Sequence, residues 1–364
     1  MPSTIRAAVC RAFGQPLVIE TLQLRDPGPG EVEVAVEAVA ICHSDISFIE
    51  GAWGGALPAV FGHEAAGRVT GLGAGVDHLR LGDRVLVTLI RACGTCPSCA
   101  GGKPVYCVGN EARAPKLTDA DGTPVQAAME CGAFAEKLIV DQTQIAPLGE
   151  AIAPEAACLL ACGVPTGVGA VVNTANVRPG ETVVVIGAGG VGLNVVQGAR
   201  LAGAARIVAM DLSAAKLDDA LAFGATDTIL ASTPEPWSAL SAMTGGRLAQ
   251  HVFVSVGAIP AYDVAPRLIG WGGTLYAVGM PHSGDKARYE PVIMAFMGQG
   301  MRGTKMGDVV LARDIPWMAD LYGQGRLKLD ELISRRWDFD QINDAIADTN
   351  AGQARRNVLI MQEL

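Results

Sequence analysis

Apolar and polar residues alternate through Val32-Glu33-Val34-Ala35-Val36-Glu37-Ala38-Val39, the period of a half-buried strand. Gly82-Asp83 leading into Arg84-Val85-Leu86-Val87 reads as a turn entering another strand. The pattern changes in the middle of the chain. Thr182-Val183-Val184-Val185-Ile186 is an apolar run that ends in glycines, Val191 to Ala202 has helical character, and Ile207-Val208-Ala209-Met210 is a second apolar run. Residues 251–257 and 274–279 predict further buried strands. Strands without alternation, separated by helices, indicate an α/β fold with a parallel sheet covered on both faces. Towards the end, residues 321–332 and 339–347 predict helices, and Asn357-Val358-Leu359-Ile360 predicts a returning strand. Between Tyr106 and Phe134 lies a polar loop long enough to suggest a function.

The chain has 364 residues, half of them hydrophobic, so two domains are expected. No apolar run has bilayer-spanning length, and the first residues lack an apolar signal segment, which predicts a cytoplasmic protein with no membrane partner. A net charge of −9 and the lack of a basic run exclude a nucleic-acid surface. Nine cysteines in such a protein point to metal-binding thiolates rather than a disulfide framework.

Gly187-Ala188-Gly189-Gly190-Val191-Gly192 fits G-x-G-x-x-G. Another glycine cluster, from Gly71 to Gly75, places Val76 at the third glycine position and has no such context. Here an apolar strand precedes the motif, a helix follows, and a second strand ends in Asp211 at the distance expected of a dinucleotide site. Gly187 permits a tight turn, Gly189 lets a pyrophosphate approach the backbone, and Gly192 lets helix and strand pack closely. The helix start at Gly190 and Val191 supplies N–H donors. Asp211 would accept hydrogen bonds from ribose hydroxyls and repel a 2′-phosphate, which favours NAD over NADP.

Cys93, Cys96, Cys99 and Cys107 have C-x2-C-x2-C-x7-C spacing, suited to a tetrahedral metal. Four sulfurs close the coordination shell, so this zinc would be structural. A catalytic zinc keeps one position open on three protein ligands. Two of the five histidines stand in chemically rich segments, Cys42-His43-Ser44-Asp45 and Gly62-His63-Glu64, though spacing alone does not say which residues converge.

These segments, in this order, together with Ala161-Cys162-Gly163-Val164-Pro165-Thr166-Gly167 and the glycine motif, resemble the zinc-dependent alcohol dehydrogenases of the medium-chain dehydrogenase/reductase superfamily over nearly the whole chain. Within it the chain looks most like the thiol-dependent formaldehyde dehydrogenase and aryl-alcohol dehydrogenase branches. The resemblance implies a β-rich GroES-like catalytic domain over residues 1–163, a Rossmann domain over 164–303 and a return to the catalytic domain over 304–364. It implies two zinc ions per chain and NAD. Cys42, His63 and Cys162 would hold the catalytic zinc, with Glu64 behind it and Asp45 orienting His63. Cys10, Cys131 and Cys158 match no ligand position. Ser44 would take the alcohol proton, while Ser47 stands where many relatives have a relay histidine. His43 and Arg356 would meet the pyrophosphate and Lys216 the adenosine ribose.

By the same resemblance the reaction is interconversion of primary alcohols and aldehydes by hydride transfer from a zinc-bound alkoxide. Leu89 falls at a pocket-wall position and would favour an apolar or aromatic group. The alternative substrate is a thiol–formaldehyde adduct, for which Arg113 and Lys116 are the available cations in the long loop. A non-catalytic NAD-binding protein on the same fold is a third reading. The expected assembly is a homodimer, or else a homotetramer.

Overall fold

The computed structural model describes residues 2–109 and 114–361; Arg113 lies outside the described residues. The chain divides into two compact units. The first comprises residues 1–162, 310–325 and 329–364, and the second comprises residues 163–309 and 326–328.

The first unit is built on two antiparallel-rich sheets. Ser3–Cys10, Val18–Leu24, Leu117–Thr118, Pro124–Ala127 and Ala59–Val60 close into a small barrel. In the larger sheet the order is Ile145–Pro147, Arg84–Val87, Ala65–Leu72, Glu31–Ala40, Arg356–Ile360, Ile333–Asp338, with Lys137–Asp141 also pairing with Glu31–Ala40. The alternation that predicts Glu31–Ala40 has a clear cause. Val32, Val34, Val36 and Val39 enter the core, while Glu33 faces Lys137 at 3.1 Å and Glu37 faces Arg68 at 3.0 Å. Cross-strand ion pairs of this kind fix register on the wetter face.

The second unit holds a six-stranded parallel sheet. Its order is Asp227–Leu230, Arg206–Asp211, Thr182–Ile186, Ala249–Val254, Ile269–Ala277, Gly300–Gly303. The order reverses beside Thr182–Ile186, the place where such sheets receive ligands. Val184, Ile186, Val208, Met210, Val252 and Val254 form a buried cluster on one face, and Val183, Val185, Ile207, Ala209 and Phe253 between them are buried too, which explains why these strands lack alternation. The β-rich first domain and the doubly wound second domain are as the sequence predicts.

Two boundaries differ from expectation. The predicted helix over 321–332 lies earlier, at Leu311–Gly323. Leu311, Ile315, Met318 and Leu321 form its buried face, and Pro316 inside it masks the pattern by removing one main-chain donor. Gly325, at φ +68°, then turns the chain, and only a short 3₁₀ turn follows at Asp330–Leu332. Residues 304–309, assigned from sequence to the returning segment, belong instead to the parallel-sheet unit. Thr174 reaches Thr304 at 2.8 Å and Asp308 at 2.9 Å, and Asn173 donates to the Gly307 carbonyl at 3.2 Å. These bonds anchor the left-handed turn at Met306–Asp308.

Candidate active site and metal centres

Cys42 lies two residues beyond the strand Glu31–Ala40 and caps the helix His43–Ile49. Asp45 is in the first turn of that helix, and its buried carboxylate accepts from three groups. The Cys42 N–H donates to Oδ2 at 3.3 Å, the Gly62 N–H to Oδ1 at 2.9 Å, and His63 Nδ1 lies 3.0 Å from Oδ1. With Nδ1 carrying the proton, His63 presents its Nε2 lone pair, and this buried atom has no hydrogen-bond partner. Gly62 stands at φ +88° against the Phe134 main chain, where a Cβ would not fit, so the loop turns sharply and aims His63 inward.

Cys162 ends the 3₁₀ turn Cys158–Ala161. The donor atoms of Cys42, His63, Glu64 and Cys162 lie within 4.8 Å of one another, and all four residues are buried. The hydrogen bond from Cys162 holds the Cys42 thiol well below its usual range, while Cys162, as donor, is pushed up. Burial opposes a charge on His63, but Asp45 and Cys42 outweigh it and push the imidazole up, so a metal at Nε2 would have to displace a proton there. Burial raises Glu64 to about 7 against the attraction of Arg356, whose Nη2 donates to Glu64 Oε2. Two sulfurs converging on a bare imidazole nitrogen are the donor set of a zinc ion rather than of a hard cation. The three residues named from the family pattern therefore fit the metal. Glu64 stands beside them with one oxygen tied to Arg356 and Oε1 without a partner.

Cys93, Cys96, Cys99 and Cys107 form a second cluster, half-buried, with sulfurs also within 4.8 Å of one another. None of the nine cysteines is in a disulfide. Backbone N–H groups point at the sulfurs, Cys96 N to Cys93 Sγ at 3.3 Å and Cys93 N to Cys107 Sγ at 3.2 Å. Main-chain donors at Thr95 and Cys96 lower the Cys93 thiol to about 6, whereas burial pushes Cys99 up to about 12. Cys131 and Cys158 are buried and pushed up, as expected of plain thiols, and Cys10 follows them.

In the second unit Gly187 takes φ +96° and Gly189 caps the helix Gly190–Leu201. A Cβ on Gly192 would overlap the Gly187 carbonyl oxygen, so close packing requires that glycine. Asp211 stands at the end of its strand and accepts from Ala188 N at 2.8 Å and Ser213 N at 2.9 Å, which places it at the turn. Gly190, Val191 and Lys216 are half-buried nearby in sequence order. His43 and Arg356 belong to the first unit. His43 is exposed, whereas Arg356 is buried against Glu64 rather than solvated. Ser44, Ser47 and Leu89 are half-buried, Leu89 packing on the first unit's core. Lys116 is turned inward, its Nζ donating to the Glu130 carbonyl at 3.0 Å. Two features escape the sequence reading. The Arg356–Glu64 pair has no local signal, and Ser255, beside the glycine turn, is marked only as a hydroxyl in an apolar strand.

Residues 28–150 match the family described as "Alcohol dehydrogenase GroES-like domain", and residues 190–323 match "Zinc-binding dehydrogenase". The chain is 34% identical to the NDMA-dependent alcohol dehydrogenase of Amycolatopsis methanolica, covering 98% of each chain. It is 34% identical to the S-(hydroxymethyl)glutathione dehydrogenase of Escherichia coli O139:H28, covering 97% of this chain and 99% of that one. Among solved structures it is similar to benzyl alcohol dehydrogenase from Acinetobacter calcoaceticus, with TM-score 0.92 and 28% identity over 99% of this chain and 100% of that one.

Proposed function

This chain belongs to the zinc-dependent alcohol dehydrogenases of the medium-chain dehydrogenase/reductase family, and on that premise we propose that it interconverts primary alcohols and aldehydes with NAD, in the cytoplasm. The observation that carries the proposal is the buried quartet of Cys42, His63, Glu64 and Cys162, with His63 locked by Asp45 so that Nε2 is bare. Cys42, His63 and Cys162 would hold the metal, and the four-cysteine loop would hold a structural one. When bound, the metal supplies Lewis acidity toward the alcohol oxygen and the dinucleotide supplies the hydride acceptor.

The chain's own residues do the rest. Asp45 keeps His63 in one tautomer and one orientation. Ser44, on the same first helical turn, receives the hydroxyl proton of the alcohol. As Ser44 takes that proton it must give up its own, and Ser47, half-buried one turn later where an imidazole would extend the relay, leaves that onward step to water or another residue, or makes it less efficient. Asp211 selects NAD over NADP by facing a ribose rather than a phosphate. Leu89 offers an apolar wall, which favours an aromatic or other apolar group on the alcohol.

The E. coli relative named for S-(hydroxymethyl)glutathione favours a second reading, a thiol–formaldehyde adduct as substrate. Lys116 speaks against it, because its ammonium is turned inward onto the Glu130 carbonyl. A screen of benzyl and short primary alcohols, and of formaldehyde with low-molecular-weight thiols, following NADH formation, separates the two. Turnover with alcohols alone supports the first reading, and turnover only with thiol overturns it.

A homodimer is the proposed assembly. The sheet edge strand Gly300–Gly303 and the exposed Trp271, Phe296 and Met301 offer a self-complementary face to a second copy. Light scattering that gives a single-chain mass would refute it.

A further inference from the structure

We propose that Ser255 is a positioning residue for the dinucleotide: its hydroxyl fixes the peptide units on both sides of Gly187 and so sets the turn that receives the pyrophosphate. The inference rests on reading this unit as a dinucleotide site.

The turn after Thr182–Ile186 is held from two neighbouring strands. On one side, the Gly187 N–H donates to the Met210 carbonyl and the Ala188 N–H to Asp211 Oδ2, both at 2.8 Å. On the other side Ser255, the residue after Ala249–Val254, uses main chain and side chain together. Its N–H donates to the Ile186 carbonyl at 2.9 Å. Its hydroxyl lies 3.0 Å from the same carbonyl oxygen and 2.8 Å from that of Gly187. One proton is thus shared between the carbonyls before and after the Gly187 Cα. Both peptide planes are pinned at a residue whose φ of +96° no ordinary side chain adopts readily.

The same oxygen accounts for part of the glycine pattern. A Cβ on Gly187 would come to 2.9 Å from Ser255 Oγ, and one on Gly192 to 2.8 Å. The hydroxyl therefore fills the angle between the first and last glycines of the motif. Without it the Gly187 carbonyl loses this donor, and the turn gains room to relax. The N–H groups of Gly189 and Gly190, carried on that turn, would then lose their aim at a phosphate. Asp211 holds the turn by its N–H side and Ser255 by its carbonyl side.

The test compares wild type with Ser255→Ala, Ser255→Thr and Ser255→Cys. Titration calorimetry measures binding of NAD, ADP-ribose and adenosine, and a thermal melt without ligand reports folding. Loss of one partly buried hydrogen bond predicts that Ser255→Ala binds NAD and ADP-ribose about 5- to 30-fold more weakly. Adenosine, which lacks the pyrophosphate, should bind as in wild type. Ser255→Thr keeps the hydroxyl and should recover most of the affinity, and Ser255→Cys, a weaker donor, should fall between. Equal NAD affinity in wild type and Ser255→Ala overturns the proposal. So does an equal loss for NAD and adenosine, which is what a merely structural role would give. Wild-type protein that binds no NAD would overturn the dinucleotide reading first, and this inference with it.

Discussion

Asp45 concentrates the argument at the scale of single residues. One buried carboxylate ties the cap of a helix, the turn before His63 and the imidazole itself. Asp45→Asn keeps the shape but can no longer accept from Nδ1–H and Gly62 N–H with a full charge. Partners of this kind tune metal affinity about 10- to 100-fold, so the variant should lose zinc to a chelator at correspondingly lower concentration. Ser44→Ala should lower turnover about 10²- to 10⁴-fold, the range for a proton-transfer group, with NAD binding unchanged in a titration. Unchanged turnover would remove Ser44 from the proton path. Much of this was legible in the sequence, because Cys42 to Asp45 and Gly62 to Glu64 crowd chemistry into short segments. Cys162 was not legible from its own surroundings. A cysteine before a glycine reads as a small buried hydrophobe, and only the family order singled it out. Arg356 shows the opposite limit: the family pattern assigns it to the pyrophosphate, and only the fold shows it buried against Glu64.

At the scale of elements, the four-cysteine loop and the strand ends give separable predictions. The loop Cys93–Cys107 carries two left-handed glycines, Gly94 and Gly102, and short helical turns at Pro97–Ala100 and Pro104–Tyr106. Little apolar surface holds such a segment, so a bound metal would be its main support. Cys96→Ser should remove one zinc and lower the melting temperature, while NAD affinity stays as in wild type. A Cys96→Ser protein as stable as wild type would show that the loop needs no metal. At the start of Thr182–Ile186, Glu181 lies 2.9 Å from His251 Nε2. Burial pushes the Glu181 carboxyl up, but the Arg178 N–H and His251 outweigh it and hold it below its ordinary 4.5. A lowered carboxylate contributes stability above its unfolded pKa that is lost as pH falls through the folded value. The urea midpoint of Glu181→Gln should therefore change less than that of wild type between about pH 5 and about pH 3. Identical pH profiles would remove this contribution. An unbroken apolar run was a reliable strand signal where both faces are buried, as in Val183 to Ile186 and Val252 to Val254. Helical periodicity was missed at Leu311–Gly323, where Pro316, on the exposed side of the helix, reads as a break.

In the whole molecule, the two units carry distinct chemistry. The first carries both cysteine clusters and the second carries the glycine turn. The sequence showed the change of pattern between them, but the second crossing is displaced. Residues 304–309 stay with the parallel sheet because Asn173 and Thr174 hold them, a tertiary contact with no local signature. The central claim is that reactivity belongs to the scattered Cys42, His63 and Cys162 and not to the denser cysteine loop. Metal analysis of Cys162→Ser beside wild type, with alcohol-dependent NADH formation measured on the same samples, tests it directly. The account predicts two zinc ions per chain and turnover in wild type, and one zinc and no turnover in the variant. A Cys162→Ser protein that keeps both metals and oxidises alcohol at the wild-type rate would contradict it.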